Sequence, residues 1–453
     1  MQLVEDLTQQ LIQRAKDIRA GAESEFDIAL ELVKHLGAHY VDGYAYVGFW
    51  APELRDQNIP DDKIFLEVLT PETPIDLRAF NQTVTFKRSH IPLMRQETGV
   101  WGVIDGMVPG TRDQIGTFYW LTYQDHDGEW HYVVDPLAYS VPFGVQAPSE
   151  FYDIEAMHAG RADKDHFANL PTETDPDGVP RVMAPTNILQ IHTGTACDER
   201  TLEGLTRIYR KIAEKVQRGE DLTPAEHNYI AYDAVQLMPI EPTIEYESGP
   251  VFWDAFHADD ENVTVNLRRP TMTNWGYDVM IAAAPAVNPV LLGSGRPDEM
   301  VDFIATLHNF PNNPIGVILD IVYGHADNQS LPVLNDHFFA GPNMYGQNLD
   351  YLNPIVRAIL LEMQRRKSNF GVDGVRVDGA QDFKYYVQET NTMEHDDQYL
   401  ELMNNIEQEV AGVRYRPWMI FEDGRPWPRD DWELASTYLE VTKQFPNVFQ
   451  WGP

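Results

Sequence analysis

Apolar residues recur along this chain with a period that changes twice. Between residues 3 and 36 they fall at three- and four-residue spacing: Leu7, Leu11, Ala15 and Ile18, then Phe26, Ala29, Leu30 and Val33. With Gly21 between the runs and Gly37 after them, the pattern predicts two core-packed helices in an N-terminal helical segment, residues 1–40. From Tyr44 the period falls to two. Residues 118–123 and 130–134 flank Asp127-Gly128, a hairpin signal, and residues 64–69 and 99–101 read as further strands. A small antiparallel β-sandwich over residues 41–147 is therefore expected. Its tryptophans suit the apolar faces of sugar rings, although core packing is the commoner use of such residues.

Residues 148–186 are rich in Pro, Asp, Gly and Thr without sustained periodicity, and read as a linker. After it, short apolar strands (187–192, 234–238, 315–323, 371–379, 418–422) alternate with helical stretches (202–216, 297–308, 354–367). That alternation predicts a parallel α/β sheet, and it fits a (β/α)8 TIM-type barrel over residues 187–453. A doubly wound open sheet is the alternative. No Gly-x-Gly-x-x-Gly turn follows the first strand, so a nucleotide-binding version of it has no support.

Charge narrows the partners. Thirty-four basic against seventy acidic residues give −36, which argues against nucleic acid or an anionic membrane. Cys197 is the one cysteine, so no intrachain disulfide forms and a reducing compartment is expected. No apolar run approaches the ~20 residues that span a bilayer, and the opening Met1-Gln-Leu-Val-Glu-Asp is unlike a signal peptide, so a cytoplasmic location is expected.

The chemistry concentrates at three successive strand ends. In 371–379, period-two alternation puts Val372, Gly374, Arg376 and Asp378 on one face. Arg376 would hold Asp378 ionised and oriented, as a nucleophile requires. The preceding strand delivers Asp320 and leads to His325; the following one delivers Glu422. Neighbouring strands lie ~4.8 Å apart, so the Asp378 and Glu422 carboxyls would approach within roughly 5 Å, the spacing of retaining glycosidases. Glu422, partly buried beside a like charge, is expected to keep its proton to pH 7 and to give it to a leaving oxygen.

These stretches resemble the α-amylase family of glycoside hydrolases (family thirteen). Asp320-Ile-Val-Tyr-Gly-His325 resembles its first signature, 371–378 its second, and Met419-Ile-Phe-Glu-Asp423 with Trp427-Pro428 its third. Asn274-Trp-Gly-Tyr-Asp278 and Gln236-Leu-Met-Pro-Ile240 resemble further landmarks, and the sandwich resembles the carbohydrate-binding module of branching enzymes. The resemblance implies Asp378 as nucleophile and Glu422 as acid/base. It also implies Arg376 as the nucleophile's partner, Tyr277, Asp320 and His325 as ligands of the sugar being cleaved, and Asp278 as compatible with gripping a terminal glucose.

Three departures qualify it. Gly324 stands where the family usually has an Asn that often binds calcium, so no metal or other cofactor is assigned. The segment from His325 to Tyr351 is short beside the family's inserted domain. The fourth signature, which supplies a third carboxylate, has no counterpart, so the barrel is expected to lack its last strands. The leading expectation is a retaining α-glucosidic hydrolase of a small glucoside, with glucosylglycerol, a compatible solute, as the specific candidate. An α-transglucosylase such as a glucan branching enzyme, and a non-catalytic carbohydrate-binding protein on a truncated barrel, are the alternatives.

Overall fold

A computed structural model of the chain describes residues 1–245, 249–271, 275–422 and 448–451. Six parallel strands form its central sheet, lying side by side in chain order: β1 (Ile188–Ile191), β2 (Ala234–Leu237), β3 (Gly316–Val322), β4 (Gly374–Asp378), β5 (Trp418–Glu422) and β6 (Val448–Trp451). Three long helices accompany them: α1 (Leu202–Arg218), α2 (Asp298–His308) and α3 (Pro354–Ser368). α1 starts at Thr201, whose side chain accepts the Gly204 N–H, and stops at Gly219, which takes a left-handed φ of +67°. α3 starts at Asn353 with Pro354 in the first helical position, where no N–H is needed. The strands are covered on both faces, as the apolar runs of the sequence require.

Two antiparallel sheets lie in the region expected to be a sandwich, and both draw on chain outside residues 41–147. The first pairs Gln2–Leu3 with Gly99–Asp105 and continues through Tyr44–Trp50 to Gly37–Val41. The second runs Ser149–Glu150, Phe118–Gln124, Ile64–Pro71, Asn81–Pro92, and then Asn262–Arg268 and Trp253–Ala258. That last hairpin leaves the chain between β2 and β3 and extends the second sheet by two strands. The N-terminal helices occupy Glu5–Gly21 and Glu25–Leu32; Ile28 and Leu32 join Ile359 of α3 in the main core. Residues 148–186 hold short elements of their own: helices Ile154–Ala159 and Lys164–Ala168, and a ladder between Thr172–Thr174 and Pro180–Val182. Elements this short show no periodicity to read. Among the described residues no helix is long and apolar enough to cross a membrane.

Candidate active site

Register between strands assembles the site. Asp320 on β3 lies opposite Arg376 on β4, and Arg376 lies opposite Ile420 on β5, two residues before Glu422. A guanidinium pointing towards the strand ends therefore meets carboxylates from its own strand and from both neighbours. Its Nη1 is 2.6 Å from Asp320 Oδ1 and 2.9 Å from Asp378 Oδ1, and its Nη2 is 2.7 Å from Glu422 Oε2. The Gly379 N–H donates to Glu422 Oε2 at 3.1 Å.

Tyr277 and His325 complete the network. The Tyr277 hydroxyl donates to Asp320 Oδ2 at 2.8 Å, and His325 Nε2 donates to the Tyr277 carbonyl at 2.9 Å. Asp278, next in the chain, is half-buried, and its backbone carbonyl accepts the Ile244 N–H at 3.1 Å. Asn274, Asp423, Trp427 and Pro428, parts of the motifs read from the sequence, lie outside the described residues.

Electrostatics run against one expectation. Asp378, expected to be held ionised by Arg376, is instead pushed up to about 7, first by burial and then by Asp320 and Glu422, against the pull of that guanidinium. The reason lies in the geometry: the one positive charge expected to hold Asp378 ionised is divided among three carboxylates. Asp320, completely buried, rises to about 6, chiefly by desolvation and in spite of Arg376 and Tyr277. Asp378 thus holds its proton to near neutrality.

Three residues that border this network carry no role in the sequence reading. Gln236 sits on β2 with no exposed surface, and its Nε2 donates to Asp320 Oδ2 at 3.3 Å. A single polar residue inside Ala234-Val-Gln-Leu was the available signal. Glu241, buried beside Lys367 at 3.2 Å, adds its charge to the field that raises Asp320. Tyr345 lies over the His325 ring, with centroids 4.7 Å apart and planes at 25°; no sequence pattern marks that fold-back.

A separate void lies away from the carboxylate cluster. A cavity of about 1440 Å³ lies between the second antiparallel sheet, its added hairpin and residues 332–337, lined by Trp120, Tyr132, Arg88, Asn266 and His337 among others, and none of the site carboxylates borders it. Nor does a second polar cluster look like a metal centre. His166, His308 and Asp373 bring ligating atoms within 4.8 Å of one another. Their imidazoles are stacked, 3.6 Å between centroids with planes 10° apart, so the in-plane lone pairs run side by side rather than converging.

Comparison with known proteins agrees with this fold. Over 256 residues the chain is 25% identical to the 1,4-alpha-glucan branching enzyme GlgB of Fusobacterium nucleatum, covering 54% of this chain and 34% of that enzyme. A pullulanase from Anoxybacillus sp. LM18-11, solved with maltotetraose, superposes with a TM-score of 0.53 at 16% identity, covering 95% of this chain and 53% of the pullulanase. The catalytic module of SpuA, a glycogen-degrading pneumococcal virulence factor, gives 0.53 at 14%, covering 90% and 54%. The chain thus spans about a third of the curated relative's length and about half of the solved chains, and the structural likeness shows an α/β fold of the amylase and pullulanase kind. A family model described as hypothetical glycoside hydrolase 5 matches residues 10–453, and the chain belongs to that family.

Proposed function

We propose that the protein is a retaining enzyme of α-glucosidic bonds that works by double displacement. The observation that carries this reading is the Asp378–Glu422 pair, on adjacent parallel strands and bound to one guanidinium. Neighbouring strands lie ~4.8 Å apart, a spacing that suits the closer carboxyl pair of the retaining route rather than the wider one of the inverting route. In the first step an Asp378 oxygen forms a bond to the anomeric carbon while the glucosidic bond breaks. The leaving oxygen takes a proton from the Glu422 carboxyl. In the second step Glu422 removes a proton from water as the water oxygen displaces the Asp378 ester. Asp320, Tyr277 and His325 would hold the hydroxyls of the cleaved glucose, with Asp278 beside them. Six parallel strands in chain order suit a barrel of the (β/α)8 type, whose C-terminal strand ends carry the chemistry.

Two substrates remain in play. The short segment between His325 and Tyr351 favours a small glucoside such as glucosylglycerol. The relatives favour α-glucan: one is a branching enzyme and another was solved with maltotetraose. The branching relative also supports transfer to a glucan hydroxyl in place of water. The single cysteine and acidic surface fit a cytoplasmic enzyme.

Anomer-resolved NMR of glucose released from glucosylglycerol, trehalose and soluble starch tests the reading, with Asp378→Asn as control. α-Glucose appears first if the mechanism is retaining. β-Glucose as first product, or turnover that survives Asp378→Asn, would sink it, and new branch points in starch would move the assignment to transfer. Silence on every α-glucoside would favour the non-catalytic carbohydrate-binding alternative.

A further inference from the structure

We infer that Tyr345 determines substrate length, by giving the sugar next to the cleaved glucose a ring to stack on. The inference rests on the proposed glucosidic activity and adds a residue that the motifs do not contain.

The segment after His325 is short but built. His325–Ala326 pairs antiparallel with Gly346–Leu349, which pairs in turn with Phe339–Asn343, so His325 and the hairpin belong to one three-stranded sheet. The tip is tied down: Asn343 Oδ1 accepts the Tyr345 N–H at 2.7 Å, and Asn343 Nδ2 donates to Asn348 at 2.8 Å. Gly346 takes φ +131°, and a Cβ there would meet the Ala326 carbonyl oxygen at 2.6 Å, so the turn that aims Tyr345 requires glycine.

Tyr345 is fixed by this turn with one ring face on His325 and half of its surface exposed. Trp275, 59% exposed, meets Tyr277 edge-on at 5.0 Å. Tyr277 is the hub between the two, because its carbonyl holds His325 and its hydroxyl holds Asp320. A glucose seated against Tyr277 and His325 therefore has exposed aromatic surface beside it, where the next ring of a chain would lie. Sugar rings carry apolar C–H faces that cover such surface; the glycerol of glucosylglycerol has no ring face to offer. The side chains that touch Tyr345, the Asn343 amide and the His325 imidazole, suit an uncharged sugar.

The test uses three substrates that differ in what lies beyond the cleaved glucose: α-glucosyl fluoride, glucosylglycerol and maltotriose. In wild type, kcat/KM is higher for maltotriose than for glucosylglycerol. Tyr345→Ala raises KM for maltotriose roughly tenfold, the scale of one aromatic stacking contact, and leaves the fluoride and glucosylglycerol within about twofold. Tyr345→Phe, which keeps the ring, restores the maltotriose value. Equal losses on all three substrates would overturn the inference, because Tyr345 would then act only by positioning His325. An unchanged maltotriose KM would overturn it too. If wild type fails to turn over even the fluoride, which needs no leaving sugar, the proposed activity itself fails and takes this inference with it.

Discussion

Strand β4 carries a polar cluster at each end, and the two are opposites in charge balance. At its C-terminal end one guanidinium faces Asp320, Asp378 and Glu422. At the start of the strand Asp373, with Asp163, faces Arg161, His308 and His166. Burial is severe in both places; the supply of cations differs.

At the lower end Arg161 grips Asp163 with two bonds, at 2.7 and 3.0 Å, and His308 donates from Nδ1 to Asp163 at 2.7 Å and from Nε2 to Asp373 at 2.9 Å. Burial alone would neutralise these groups, but the pairing wins. His308 rises to about 9, Asp163 falls to about 2, and Asp373 is held well below the usual carboxylate range. At the upper end the single Arg376 loses to burial and to like charges, and Asp378 and Asp320 rise. Ionised groups locked by cations make a brace; carboxyls poised near neutrality make a proton-transfer site. In parallel α/β barrels the same division holds, with chemistry at the C-terminal ends of strands and stability at the other.

The largest break in this comparison is expected from Asp378→Asn. Loss of the nucleophile should lower turnover on the order of 10⁴-fold or more, while stability at neutral pH should rise, because one of the crowded carboxylates is gone. The sign of the pH dependence follows from the raised pKa. Asp378 holds its proton to about 7 in the folded protein against an ordinary 3.8, so the wild type gives up stability as pH climbs through that interval. The variant's advantage in denaturant titrations should therefore be absent below pH ~4 and complete above ~7. A variant that is less stable than wild type at pH 7 would contradict the charge imbalance.

His308→Gln is the matching break at the other end. Removing the shared cation leaves two buried carboxylates underpaired, which costs about 3–5 kcal/mol and should appear as a lower denaturant midpoint. Turnover per folded molecule should hardly change. His308 is raised from 6.5 to about 9, so its stabilisation is fully present below pH 6.5 and is lost as pH rises through 9. The wild type should lose stability across that window and the variant should not. A flat wild-type curve between pH 6.5 and 9 would mean that His308 is neutral and the brace is uncharged.

How legible each end was in the sequence also differs. The upper cluster showed itself because period-two spacing sets Arg376 and Asp378 on one face, and because three successive strands end in acids. The placement of its proton did not show, since that depends on how many carboxylates share Arg376, a fact of register between strands. At the lower end, Asp373 has partners 65 and 207 residues away, His308 and His166, and no local pattern joins them. The same limit hid the hairpin Trp253–Ala258 and Asn262–Arg268: its strands were ordinary, but the second pairs with Asn81–Pro92, from Asn262 opposite Lys87 to Arg268 opposite Asn81, far earlier in the chain.

Tyr277→Phe should give the smallest effect and the finest measure of the contrast. Where the lower cluster uses cations, the upper one gives Asp320 a neutral donor, the Tyr277 hydroxyl, as a third lowering influence after the charge and the hydrogen bonds of Arg376. The hydroxyl brings a hydrogen bond but no positive charge of its own, whereas Arg376 brings both. Removing the hydroxyl should raise Asp320 from about 6 by less than about one pKa unit, since Arg376 remains at 2.6 Å. If ionised Asp320 is what grips the sugar, the acid limb of the kcat/KM profile moves to higher pH by that amount, and the optimum above the limb falls only a few-fold because the ring is kept. The shift must be upward. A downward one would mean that the hydroxyl favours protonated Asp320, and that burial and Glu241, rather than a shortage of donors, set the pKa at this end of the strand.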